Sequence, residues 1–115
     1  MAVDCLFCRI VSGDVAADVV AQDERVLAFR DINPQAPTHV LVIPREHVAS
    51  AADLAEHHGD LLAAMFSMAN GVAAADGRVE TGYRLVFNVG PDAGQSVDHL
   101  HLHVLGGRRL AWPPG

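Results

Sequence analysis

The chain has no lysine: its eight basic side chains are all arginine, set against fourteen carboxylates for a formal net charge of −6 over 115 residues. A general nucleic-acid binder needs a cationic footprint. The single basic doublet, Arg108-Arg109, is too short to make one. No apolar run reaches the length of a membrane span and no signal-peptide pattern opens the sequence, so a cytoplasmic protein is expected. Cysteine is scarce too. Cys5 and Cys8 stand alone as a C-x-x-C, which in a reducing compartment reads as a thiol redox pair or half of a metal site rather than a structural disulfide. Repeats, linkers and low-complexity blocks are absent. What remains is half apolar, enough for one packed core and one domain over residues 1–115.

The elements follow from periodicity and punctuation. Residues 4–12 predict a short helix, with Asp4 as N-cap, Leu6, Phe7, Ile10 and Val11 as its apolar stripe, and Gly13 as its stop. Residues 19–21 and 26–30 predict a hairpin across the polar turn Gln22 to Arg25. A loop with two prolines, Asp31 to Pro37, precedes His39 to Pro44, whose unbroken apolar character marks a central strand. One long helix is expected from about Ser50 to Asp76, with Gly59 as a potential break and Gly77 as its end. His57 and His58 fall on its solvated side. Tyr83 to Val89 predicts a further strand, followed by a glycine-rich loop over 90–96. The whole is an α+β fold, a mostly antiparallel sheet with helices packed on one side.

Residues 98–104 alternate histidine with Leu100, Leu102 and Val104, the period of a half-buried strand. His99, His101 and His103 then share one face, about 6.6 Å apart. β-propensity gives no reason for three imidazoles in a row. The loop ahead of them offers backbone N–H groups and the Ser96 hydroxyl, donors suited to an anion, with Asn88 and Gln95 as neutral side-chain donors. Imidazoles beside an anion site point to phosphoryl chemistry, with histidine as nucleophile, acid or base. Asp31 is a candidate for ribose hydroxyls or simply a turn former. The same histidines also suit a metal, either as a three-imidazole catalytic zinc site or as two ligands completing a Cys2His2 set with Cys5 and Cys8. Spacing alone does not choose.

Three segments together resemble the histidine triad (HIT) proteins. They are Asp31-Ile-Asn-Pro-Gln-Ala-Pro-Thr-His39-Val-Leu-Val-Ile-Pro44, then Gly94-Gln-Ser-Val-Asp-His-Leu-His-Leu-His103-Val, then Leu105-Gly-Gly-Arg with Trp112-Pro-Pro-Gly115. The last is similar to the Hint branch, the purine nucleoside phosphoramidases. The resemblance implies a five-stranded antiparallel sheet with a short N-terminal helix and one long helix, in a homodimer paired across the long helix and a central strand. It implies hydrolysis of nucleoside 5'-phosphoramidates or acyl-nucleotidylates through a nucleotidyl-histidine. In that scheme His101 attacks phosphorus, His103 and Ser96 serve the phosphate or leaving group, and His39 braces the triad. Asn88, Gly94, Gln95, Ser96 and Val97 line the phosphate site, Asp31 takes the ribose, and Leu6, Phe7, Phe29 and Ile32 flank a purine base. Trp112 reaches towards the partner's pocket. Relatives with a C-x-x-C near the N-terminus hold a structural zinc, which here implies Cys5, Cys8, His47 and His99. No cofactor is implied for the chemistry itself. Asp98 departs from the aromatic residue common at its position in Hint proteins, which bears on substrate preference. An Fhit-type dinucleoside polyphosphate hydrolase and a zinc-stabilised nucleotide-binding module are the alternatives.

Overall fold

A computed structural model describes residues 5–115; the expected cap Asp4 lies outside them. Five antiparallel strands form one sheet in the order β1-β2-β3-β5-β4. They are β1 (Val19–Gln22), β2 (Val26–Arg30), β3 (Thr38–Pro44), β4 (Tyr83–Val86) and β5 (Leu102–Gly106). Two α-helices complete the fold, α1 (Leu6–Ser12) and α2 (Gly59–Ala75). The hairpin β1-β2 turns on Asp23, whose Oδ1 accepts the backbone N–H groups of Arg25 and Val26 at 2.8 and 2.9 Å. β3 is buried along its whole length, as its composition requires.

Alternation along the strands sorts side chains onto two faces. Val26, Ala28, Val40, Val42, Leu102 and Val104 meet Leu61, Met65, Ala69 and Val72 of α2, the i, i+4, i+8, i+11 stripe of an amphipathic helix. Leu27, Phe29, Leu41 and Ile43 face the other way and pack with Phe7, Ile10 and Val11 of α1. The helices thus cover opposite faces, not one side as the sequence suggested. α1 is too short to cover a sheet, and its two largest apolar side chains suffice for one corner.

The long helix also begins later than expected. Residues 51–53 and 56–58 form two short 3-10 turns, and α2 starts at Gly59 and spans 17 residues. The Ser50 hydroxyl accepts the N–H of Ala52 at 3.1 Å, and His58 Nδ1 accepts that of Ala55 at 2.9 Å. These local side-chain bonds compete with helical ones. Leu54 is extended, which breaks the run outright. No helix among the described residues is long and apolar enough to cross a membrane.

The C-terminus of α2 is tied to the sheet by Asp76. Its carboxylate takes a forked pair from Arg30 at 2.9 and 3.0 Å and the hydroxyl of Thr38 at 2.8 Å, and that hydroxyl in turn accepts Arg78 Nε at 2.8 Å. The Arg30 guanidinium first, and the Thr38 hydroxyl with it, hold the Asp76 carboxyl down to about 2. A depressed folded-state value makes the ionised form stabilising above the ordinary carboxylate range and loses that contribution as pH falls through the folded value. Arg30 is about one-third exposed, so solvent screens part of the pair. We expect Asp76→Ala to cost about 1–2 kcal/mol at neutral pH. In urea unfolding curves, the gap from wild type should close between about pH 4 and about pH 2.

Candidate active site and metal cluster

The face of the sheet covered by α1 carries the site. β3 delivers His39 and β5 delivers His103 to that face, one residue out of step with the α2-facing Val40 and Val104. His101 and His99 precede β5 rather than lying on it. The expected seven-residue histidine strand therefore exists only from Leu102 onwards. Side-chain alternation still holds, since Leu100 is buried with the α2 core, but the row of imidazoles divides. His101 and His103 stay together, with ring centroids 5.0 Å apart, while His99 turns towards the two cysteines.

A cavity of about 330 Å³ opens over this face. Leu6, Phe7 and Ile10 of α1, Phe29, Asp31 and Ile32 from β2 and the loop after it, Leu41, Ser96, Val97, His101 and His103 all line it. Ile10 and Leu41 were not expected there. Ile10 follows Leu6 and Phe7 by one helical turn and Leu41 follows His39 by one strand period, so the helix and strand repeats place them. Phe7 is buried and meets Phe29 and His101 edge-on, with centroids at 5.5 and 5.2 Å. Ile32 is fully exposed at the rim. Asp31 is a turn former, its Oδ1 accepting the N–H of Asn33 at 2.9 Å, and it also borders the cavity.

Gln95 does not reach into the cavity. Its Oε1 accepts the N–H of Gly90 at 3.0 Å, and Nε2 donates to the carbonyls of Ala49 and Val97 at 2.9 and 3.1 Å. Its amide is spent on holding the 90–97 loop closed. Gly94 turns that loop with φ of +83°. Asn88, half-buried just after β4, is not among the cavity-lining residues.

Hydrogen bonds assign the protons. His101 Nδ1 lies 2.7 Å from the carbonyl of His99; a carbonyl only accepts, so this nitrogen carries the proton and the lone pair sits on Nε2. His39 Nδ1 accepts the N–H of Gln35 at 3.0 Å, which leaves its proton on Nε2. Nε2 in turn is 2.9 Å from His103 Nδ1 and 3.5 Å from an oxygen of Asp31. His103 therefore carries its own proton on Nε2. Burial lowers His39, with Asp31 opposing. Burial, and then the neighbouring His101 and His39, push His103 down to about 4. Both rings are neutral at neutral pH. A lone pair and an N–H donor thus sit side by side at one cavity.

A second cluster lies at the start of α1. The donor atoms of Cys5, Cys8, His47 and His99 all fall within 4.8 Å of one another. His99 Nδ1 is 3.3 and 3.5 Å from the sulfurs of Cys5 and Cys8 and 3.2 Å from His47 Nδ1, and Cys8 Sγ is 3.3 Å from His47 Nδ1. A tetrahedral zinc with nitrogen and sulfur ligands has edges of about 3.3–3.8 Å. His99 Nε2 donates to the carbonyl of Pro44 at 2.9 Å, freeing Nδ1 and orienting the ring as metal-bound histidines are oriented. Cys5 caps α1, its sulfur accepting the Cys8 N–H at 3.3 Å. Burial, with Cys5 alongside, pushes the Cys8 thiol up to about 11, so a cation binding here displaces protons. The donor set fits zinc.

Comparison with known proteins agrees with this geometry. The profile of the HIT domain matches residues 12–110. The chain is 43% identical over 110 residues to the purine nucleoside phosphoramidase of Escherichia coli, covering 96% of this chain and 92% of that one. It is 47% identical over 112 residues to a 14 kDa zinc-binding protein of Zea mays, covering 96% and 87%. The crystal structure of a HIT family hydrolase from Legionella pneumophila superposes with a TM-score of 0.95 at 53% identity, covering 96% and 99%. With the fold, the paired imidazoles and the loop of glycines in place, the chain belongs to the HIT domain family of nucleotide hydrolases.

Proposed function

We propose that this single HIT domain hydrolyses nucleoside 5'-phosphoramidates and acyl-nucleotidylates, releasing a nucleoside monophosphate through a covalent intermediate on His101. The observation that carries this reading is the bond from His101 Nδ1–H to the His99 carbonyl, which leaves Nε2 as a nucleophile at the cavity. As the Nε2–P bond forms, the P–N bond breaks and its electron pair leaves on a nitrogen already protonated from solvent, to which the neutral His103 donates its Nε2–H as a hydrogen bond. Water then attacks phosphorus, loses a proton to solvent and frees His101. Splitting one displacement into two lowers each barrier. The positive charge that develops on His101 strengthens its bond to the carbonyl. The Ser96 hydroxyl supplies a donor for the phosphate oxygens, Asp31 an acceptor for ribose hydroxyls, and the apolar wall of Leu6, Phe7, Phe29 and Ile32 takes the base. The relative named as a purine nucleoside phosphoramidase supports an adenosine or guanosine substrate.

In this reading Cys5, Cys8, His47 and His99 hold a structural zinc, as the name of the maize relative encourages. When bound, the ion supplies a cross-link and no reaction step. It joins α1 to the exit of β3 and to the residue whose carbonyl orients His101. Free cysteines suit a cytoplasmic setting. Two copies pair as a homodimer. The exposure of Trp112 at 82% supports a tail that reaches the partner's cavity, and β4 at the sheet's margin leaves an edge open to pairing.

Rapid-quench mass spectrometry with adenosine 5'-phosphoramidate tests the chemistry. A transient AMP adduct should map to His101, and His101→Ala should lose at least about 10³-fold in kcat while still binding AMP. An adduct elsewhere, or turnover within tenfold of wild type, would refute the assignment. Diadenosine polyphosphates assayed alongside should be poorer substrates. For the metal, plasma mass spectrometry should find about one zinc per chain in wild type and little in Cys8→Ser. The variant should melt lower and bind AMP several-fold more weakly, because α1 carries both the cysteines and the base wall.

A further inference from the structure

The proton arrangement of the histidine network hangs on one backbone group. His39 can present Nε2–H to His103 only because its Nδ1 accepts the N–H of Gln35. Gln35 sits between two prolines, Pro34 and Pro37, in a loop outside regular structure. Prolines stiffen such a loop but leave it without N–H groups of their own to pin it. Two further contacts pin Gln35 itself. The side chain of Gln35 donates to the carbonyl of Asn33 at 3.0 Å, and its carbonyl accepts Arg108 Nε at 2.9 Å.

Arg108 is delivered by a turn built for the purpose. Gly106 pairs with Thr38 in the ladder between β3 and β5. Gly107 then adopts φ of +93°, where an added Cβ would fall 2.8 Å from both the Arg78 guanidinium and Pro37. Only glycine fits that close approach. The turn lays Arg108 across the proline loop, and its NH1 donates to the carbonyl of Arg109 at 3.0 Å, which fixes the side chain in its reach.

We propose that Arg108 is a positioning residue for catalysis: by holding the carbonyl of Gln35 it keeps that residue's N–H on His39, and so sets the tautomer of His39 and, through His39, that of His103. The proposal rests on the reading of His103 as hydrogen-bond donor to the leaving group. Without the Arg108 bond the Gln35 N–H swings away, His39 Nδ1 is free to carry the proton, and Nε2 then becomes an acceptor facing His103 Nδ1. His103 must answer by moving its own proton to Nδ1, which leaves no N–H at the cavity for the leaving group.

Glutamine and methionine separate this role from a merely structural or electrostatic one. Gln Nε2 sits at the same distance along the side chain as Arg Nε and keeps a donor without charge, whereas methionine keeps the length and offers none. Nitrogen-detected imidazole NMR of the substrate-free protein should find His39 protonated on Nε2 alone in wild type and Arg108→Gln. In Arg108→Met it should find a mixture with the Nδ1–H form. With adenosine 5'-phosphoramidate, kcat should fall about tenfold in Arg108→Met and stay within about twofold in Arg108→Gln, with KM unchanged in both. Identical spectra for the two variants, or loss of the fold in both, would overturn the proposal. Absence of turnover in wild type would refute the phosphoramidase reading instead, while the spectra still decide the tautomer.

Discussion

The 2.7 Å bond from His101 to the carbonyl of His99 sets the character of the site, because an imidazole is a nucleophile on only one nitrogen at a time. A peptide carbonyl never donates, so the bond leaves no choice of tautomer and no need to remove a proton before attack. A neutral hydrogen bond contributes about 1 kcal/mol, and roughly double once the ring is charged. In the proposed mechanism that increase appears only as the N–P bond forms, which is where stabilisation accelerates a reaction. The acceptor is itself held still. Its residue directs one ring nitrogen at Pro44 and the other at the cysteines, so the peptide that orients His101 is anchored through its own side chain.

α1 joins the two clusters physically. Within seven residues it brings Cys8 to the Cys/His cluster, Leu6 and Ile10 to the cavity, and Phe7 between them, edge-on to both His99 and His101 at 5.9 and 5.2 Å. So short a helix has little stability of its own. Its place depends on the cysteine cap, the burial of Phe7 and the ligand cluster at its N-terminus. The opposite face of the sheet has no such dependence. There α2 covers a continuous apolar layer and Asp76 locks its end to Arg30 and Thr38. The half packed by α2 thus supports β3 and β5 from behind, and the sparsely covered half holds the paired imidazoles and their cavity.

Much of this was legible in the sequence. The unbroken apolar run after His39 placed the central strand, glycine ended α1, and alternation sent Leu100, Leu102 and Val104 to one side and the histidines to the other. The errors share a cause: side-chain patterns do not record main-chain hydrogen bonds. Residues 50–58 have helical composition, but Ser50 and His58 bond local N–H groups and the helix waits for Gly59. Alternation over residues 98–101 persists without a ladder, because the His99 carbonyl serves His101 instead of a neighbouring strand. Gln95 has the polarity of a phosphate ligand, yet its amide closes its own loop. Gln35 and Arg108 carry no side-chain signal of a site, since what matters in Gln35 is a peptide N–H that every residue except proline possesses.

The two histidine clusters show how far one backbone group can decide a function. Asp31, His39 and His103 also bring donor atoms within 4.8 Å of one another, a carboxylate and two imidazoles of the kind that bind transition metals. A ring that ligates through one nitrogen must carry its proton on the other. His99 meets that condition, since Nε2–H faces the carbonyl of Pro44 and Nδ1 is left with its lone pair. His39 fails it, because Nδ1 faces the N–H of Gln35 and Nε2 must hold the proton. To bind a metal through Nε2 while keeping that bond, His39 would have to become an anionic imidazolate, in a site where burial keeps the ring neutral. The carbonyl of Pro44 therefore leaves His99 a lone pair for a metal, and the N–H of Gln35 leaves His39 an N–H donor instead, although both are buried histidines.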